Sequence, residues 1–153
     1  MSVSVVSRRL VIAAMPVLGF ALPAEAQTKP SEDTAIRQLL GHTFARPDAA
    51  LTLDPIVVEG EAALVGWSQA DMAGRALLRA TDGQWAIVAC GGDAIKSPAT
   101  LQRLGVPASQ AARLSAAMAS AEAKLEPKRV ARLDSFAGIM EMGGAAHPPA
   151  HRP

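Results

Sequence analysis

The sequence predicts an α+β fold, in which an N-terminal helix precedes a four- to five-stranded antiparallel meander sheet and C-terminal helices pack on one face of that sheet. Residues 56–90 contain four short apolar runs, rich in Val, Ile and Trp and separated by turn residues, which is the pattern of an antiparallel meander. Before and after this stretch, apolar residues recur at helical spacing. Because there is no internal repeat and no long linker, we expect a single domain over residues 27–142.

The N-terminal 26 residues have the organisation of a secretory signal peptide and are set apart from the fold. Arg8-Arg9 is a basic start, Leu10 to Leu22 an apolar segment, and Ala24-Glu25-Ala26 a small-residue cleavage site. The apolar segment is shorter than the roughly 20 residues that cross a bilayer. We therefore expect export by either the Sec or the twin-arginine route, cleavage before Gln27, a periplasmic protein, and no stable membrane insertion.

The first helix is predicted to begin after Ser31 and to end at Gly41. Ser31 can cap the helix, and two acidic residues follow it in the first turn, where they suit the helix dipole. Ile36, Leu39 and Leu40 form one apolar stripe. Glycine is a common C-terminal stop. The loop beyond it leads to residues 51–53, where a strand can start.

The four central strands are predicted at residues 56–59, 62–68, 74–81 and 84–90. Asp82-Gly83 is a strong hairpin signal before the last of them. Alternation divides each strand between two faces. In the second strand, one face carries Ala62, Leu64 and Gly66, and the other face carries Ala63, Val65 and Trp67. In the third strand either Leu77 or Leu78 faces the core, with Arg75 on the same side as Leu78. In the fourth, Trp85, Ile87 and Ala89 oppose Ala86, Val88 and Cys90.

Helices are predicted to follow the sheet. Pro98 can open a short helix that Gly105 stops, and a longer helix runs from Pro107 to about Glu126. One or two further helical turns are expected at residues 128–133. Residues 135–142 change to strand periodicity and are predicted to join the sheet, whereas residues 143–153, composed mainly of Gly, Ala and Pro, are predicted to form a flexible tail.

The charge balance and the cysteine count argue against nucleic-acid or membrane partners and exclude an intramolecular disulfide. Without Arg8, Arg9 and Glu25, 13 of the 15 basic and 13 of the 14 acidic residues remain, and they form no basic run. This balance argues against nucleic acid or an anionic membrane as partner. Cys90 is the single cysteine, so an intramolecular disulfide is impossible.

The densest set of candidate metal ligands lies near the C-terminus, where Met140, Met142, His147 and His151 fall within a dozen residues. Thioether and imidazole groups together suit copper better than magnesium or calcium. The alternative is that the methionines belong to the core and the histidines are solvated. Met72, expected in the turn between the second and third strands, either lends a thioether to copper or a partner, or folds back on the sheet.

Cys90 has three interpretations from sequence. It is a buried small hydrophobe, a Cu(I) ligand if partly exposed, or a nucleophile, which would require a histidine partner such as His42. Glu59 and Glu61 flank a tight turn and are expected to face solvent, without an acid–base role. Since no phosphate loop, HExxH or Gly-x-Ser-x-Gly motif is present, the chain is not expected to be an enzyme.

Several segments together resemble the bacterial copper uptake system-associated proteins. They are residues 58–60, 66–79, 83–85 and 90–93, the Gly105-Val106-Pro107 junction, the alanine-rich helix, and the Phe136 segment with its histidine-containing tail. The likeness covers nearly the whole chain after the leader and is most specific at residues 66–79. It implies a periplasmic accessory that works beside copper-import components, such as an outer-membrane receptor or a periplasmic copper chaperone. It implies no catalytic site and no set of ligands.

Three functional hypotheses follow. The first is a periplasmic accessory of a copper uptake system, acting by transient copper binding or by docking to an import component. The second is a metal-free interaction module that uses its sheet face or edge. The third is a small pocket enzyme, which would require a cleft holding Trp67 or Trp85 with converging acids. By analogy, the architecture would be cystatin-like or nuclear-transport-factor-like.

Overall fold

The computed structural model describes residues 31–142, so the predicted leader and tail, with His147 and His151, lie outside the described residues. In chain order the helices are α1 (Glu32–Phe44), α2 (Pro98–Arg103), α3 (Ala108–Glu122) and α4 (Pro127–Asp134), with a short 3₁₀ helix, Asp93–Lys96, before α2. The strands are β1 (Leu51–Glu59), β2 (Ala62–Gln69), β3 (Met72–Thr81), β4 (Gln84–Gly91) and β5 (Ile139–Glu141).

The five strands form one antiparallel sheet in the order β1-β2-β3-β4-β5, which confirms the predicted α+β meander. At the β3–β4 turn, Asp82 and Gly83 both have positive φ angles, of 51° and 76°. This is the combination that a type I′ hairpin turn requires, and it explains why the sequence signal was reliable. None of the helices within residues 31–142 is long and apolar enough to cross a membrane.

The sheet is covered on both faces. Ala62, Leu64 and Leu77 pack with α2 and α3 in an aliphatic core, which we call the helical-side core. Ala63, Val65, Ala76 and Leu78 pack against α1 on the opposite face, which we call the α1 face. Both Leu77 and Leu78 are therefore fully buried, and the expectation that one of them faces away from a core was wrong.

Arg75 shares the helical side of β3 with Leu77, and not the side of Leu78 as predicted. Its side chain is fully buried, and its guanidinium donates from Nε to Glu122 of α3 and from Nη2 to Asp134 of α4, the latter at 2.7 Å. Lys96 donates to the other oxygen of Glu122 at 3.0 Å and pairs with Asp93 at 2.9 Å. Burial by itself would lower the pKa of Arg75, but the hydrogen bonds that its guanidinium donates to Glu122 and Asp134 outweigh burial and raise that pKa.

A β-bulge in β4 overturns the predicted division of that strand between two faces. Leu78 pairs with Ile87 and Leu77 pairs with Ala89, so Val88 is an extra residue without a partner on β3. An extra residue reverses the alternation that follows it. Ala89 therefore joins the helical-side core, and Cys90 lies on the α1 face with Ile87.

Several predicted boundaries also change. Helix α1 continues past Gly41 to Phe44, where the backbone of Ala45 turns extended. Helix α3 ends at Glu122 and not near Glu126. Strand β5 comprises three residues, although residues 135–142 were predicted as strand. The segment between α4 and β5 instead crosses the end of the sheet, from the helical side to the α1 face, where Phe136 packs.

Candidate functional site

A cavity of about 400 Å³ opens on the α1 face of the sheet, at the end where the β2–β3 turn lies. Every strand reaches it near one of its ends, and the C-terminal end of α1 with the following loop forms one side. Its lining is Phe44, Arg46, Leu51, Trp67, Gln69, Ala70, Asp71, Met72, Cys90, Phe136, Met140 and Met142. The cavity therefore collects four of the six residues that the sequence indicated as metal ligands.

Cys90 and Met140 are direct cross-strand partners in the β4–β5 pair. Side chains of such partners start about 5 Å apart and point to the same face. Met142 follows two residues later, on the same side, and its backbone N–H donates to the carbonyl oxygen of Val88 at 2.7 Å. The bulge at Val88 is what makes this arrangement, because without it Cys90 would lie on the helical side.

Met72 lies at the other end of the cavity. The prediction that Met72 lies in the turn was wrong, because it is the first residue of β3 and pairs with Gln69. Since Ala76 pairs with Cys90, Met72 is four residues along the strand from the level of Cys90, a distance of about 13 Å. The sulfur atoms are thus divided between two ends, with Cys90, Met140 and Met142 at one and Met72 at the other.

The methionines at the cavity are accessible. Met72 is 58% exposed, Met140 56% and Met142 42%, and these three are the large exposed apolar residues of the described chain. Cys90, in contrast, is only 5% exposed. An apolar cluster that meets water in this way is typical of a binding site.

Two aromatic rings form the middle of the cavity. Trp67 and Phe136 pack edge to face, with 6.0 Å between ring centroids and an interplanar angle of 76°. Gly74 allows this, because a Cβ there would lie 3.0 Å from the ring of Phe136. The indole N–H of Trp67 is buried and has no hydrogen-bond partner within residues 31–142. Trp85 also lies on the α1 face, but away from the cavity.

Burial raises the pKa of the Cys90 thiol to about 11, from an ordinary value of 9.0. The thiolate fraction at pH 8 is therefore about 100-fold lower than for a free thiol. We expect alkylation of Cys90 by iodoacetamide at pH 8 to be at least about 100-fold slower in the native protein than in urea, and to accelerate about tenfold per pH unit up to pH 10. Equal native and unfolded rates would show that the thiol is accessible and ionised.

Other sequence candidates do not gather at the cavity. His42 is exposed on α1 and is not part of the lining, so the structure does not place it as a partner of Cys90. Glu59 pairs with Arg113 at the surface. Within residues 31–142, no group of three or more His, Cys, Asp or Glu side chains is placed to hold a metal ion.

Sequence reasoning missed two features of the site. The aromatic pair was not anticipated, because Phe136 was predicted to lie in a strand, and the proximity of Cys90 to Met140 depends on the bulge. The sequence signals that pointed to the site were the candidate ligands Met72, Cys90, Met140 and Met142, all of which line the cavity. No family model, curated protein or solved structure matches the chain.

Proposed function

We propose that the protein is a periplasmic accessory of a copper uptake system, which binds Cu(I) transiently in the methionine-lined cavity and is not an enzyme. The observation that carries the proposal is that three of the four methionines of residues 31–142, with the single cysteine, line one cavity. Thioether and thiol sulfur are soft ligands and favour Cu(I) over hard cations.

Met140 and Met142 are the residues that we assign as primary ligands. Both are exposed; Met140 lies on β5 opposite Cys90, and Met142 directly follows the strand. A thioether needs no deprotonation to bind a metal, whereas the thiol of Cys90 must lose its proton first. Cys90 is therefore a secondary donor. Met72 lies at the far end of the cavity, too distant to bind the same copper ion as Met140 and Met142. It would instead contact a partner protein or bind a second ion.

Exposure of these thioethers suits transfer of copper and not permanent storage. A partner that carries its own soft ligands can reach Met140 and Met142 without unfolding the sheet, because both lie at its edge. We propose an outer-membrane receptor or a periplasmic copper chaperone as this partner. His147 and His151, five and nine residues beyond Met142, are proposed as additional ligands.

A competition titration of the protein with a Cu(I) chelator tests the assignment. Replacing Met140 and Met142 together with leucine keeps the volume and removes the sulfur. We expect copper affinity to fall at least about tenfold, the loss that even outer-shell substitutions at metal sites produce. Met118→Leu is the matched control, since Met118 is buried in the helical-side core and should not change copper affinity.

The same titration separates the cavity from the tail. A chain that ends at Met142 lacks both histidines, and we expect it to keep most of its Cu(I) affinity. If that truncation abolishes binding while the double leucine variant binds normally, the cavity is not the copper site. If the full chain binds no Cu(I) and copper leaves its melting temperature unchanged, the proposal of copper binding is wrong, because a ligand of the folded state must raise stability.

The second candidate function, a metal-free interaction module, is favoured by the same exposed methionines. Methionine is flexible and polarisable and is common on surfaces that adapt to partner proteins. In this alternative, Met140→Leu with Met142→Leu leaves partner binding nearly unchanged, because leucine preserves the apolar area. Copper-dependent binding to an import component would decide against it.

A further inference from the structure

Aromatic residues are concentrated at the cavity as strongly as methionines. Aromatic residues make up only 3% of the chain. Of the four within residues 31–142, three line the cavity, namely Phe44, Trp67 and Phe136. The helical-side core contains none and is built from aliphatic side chains and Met118. The aromatic rings are not among the sulfur ligands that we assign to a metal ion. Their concentration at the cavity therefore indicates a second kind of ligand.

The dimensions of the cavity agree with this. A volume of about 400 Å³ falls within the range of sites for small organic molecules, which starts near 300 Å³. It would otherwise hold about a dozen water molecules against apolar walls. Cys90, Met140 and Met142 lie at one end and Met72 at the other, with the aromatic rings between them, so the space is elongated along β3.

We infer that the cavity binds a small, uncharged aromatic molecule, held between the Trp67–Phe136 pair and the thioethers. Edge-to-face contacts with the rings and sulfur contacts at a ring edge both favour an aromatic ligand over an aliphatic one. This site would exist with or without copper, so the inference goes beyond the proposed function.

Charge at the rim is already neutralised or solvated. The guanidinium of Arg46 makes two hydrogen bonds to Asp48, at 2.6 and 3.1 Å, and Asp71 is exposed. A charged ligand would lose hydration against the apolar walls without gaining a buried partner.

Methyl NMR on the metal-free protein labelled at methionine, titrated with quinoline, tests the inference. Quinoline is an uncharged aromatic molecule of ten heavy atoms with one acceptor nitrogen. For a ligand of this size we expect a Kd on the order of 1 mM or below. The methyl signals of Met72, Met140 and Met142 should shift with saturation while Met118 stays still, and the indole signal of Trp67 should move while that of Trp85 does not.

Two variations sharpen the result. Met72→Ala, at a side chain 58% exposed and so of little consequence for folding, should weaken quinoline binding at least about threefold. Quinoline-2-carboxylate, which is charged, should bind at least about tenfold more weakly. No saturable shift, equal shifts at all four methionines, or equal affinity of the carboxylate would each overturn the inference. Because no copper is present, these outcomes are independent of the Cu(I) titration.

Discussion

Glu122→Gln is expected to lower the free energy of unfolding by about 3 kcal/mol, because it leaves the guanidinium of Arg75 buried without a charged partner on α3. Arg75 is fully buried, and its Nη1 already has no hydrogen-bond partner within residues 31–142. Asp134, the remaining partner, is 37% exposed and offers less compensation. A loss of this size is a large fraction of the stability of an ordinary domain.

Glu59→Gln is the matched control, since it makes the same chemical change in an ion pair at the surface. Glu59 accepts from Arg113 at 3.1 Å, and the arginine side chain is 57% exposed. Pairs of this kind contribute about 0–1 kcal/mol. Urea unfolding of both variants supplies the comparison. Equal, small losses would mean that Arg75 is solvated in the native state and that the network does not hold α3 and α4 to the sheet.

Gly92→Ala is expected to be the second severe substitution, at about 2–3 kcal/mol. A Cβ on Gly92 would lie 2.5 Å from the carbonyl oxygens of both Asp134 and Phe136. Both contacts are with backbone, which cannot rotate away, so the segment that crosses the end of the sheet must move. The cavity should open as well, because that segment places Phe136 against Trp67.

Gly41→Ala provides the opposite case. Gly41 lies inside α1, and a Cβ there would have nothing within 4 Å. Alanine is the better helix former by about 1 kcal/mol, so this variant should be more stable than the natural chain. Thermal unfolding gives the stability of both variants, and Trp67 fluorescence, measured in a Trp85→Phe background, reports the cavity. Unchanged stability and emission in Gly92→Ala would contradict the close passage of residues 134–136.

The sequence was sufficient for the architecture because local signals determine it. The Asp82-Gly83 hairpin, the alternating residues of β2 and the proline-initiated helices each carry their own structural signal within a few residues. Boundaries were less certain, since Gly41 is compatible with both the end and the interior of a helix. In the structure the helix continues to Phe44, which packs on the α1 face of the sheet.

The candidate site depends on features that no local pattern contains. A bulge at Val88 depends on how β3 and β4 pair over their whole length, and it alone moves Cys90 to the face of Met140. Arg75 and Glu122 are 47 residues apart in sequence, and nothing near either residue indicates the other. The sequence indicated Met72, Met140 and Met142 as candidate ligands, but their separation into two ends of a cavity required the strand register.

X-ray absorption at the copper edge, recorded on the Cu(I)-loaded protein, examines the central claim most directly. The cavity can offer a metal two methionine sulfurs and the sulfur of Cys90 at one end of the sheet. The predicted result is a first coordination shell dominated by sulfur, which loses sulfur scatterers when Met140 and Met142 are replaced with leucine. A shell of nitrogen and oxygen alone, unaltered in that variant, would contradict the assignment of copper to this cavity.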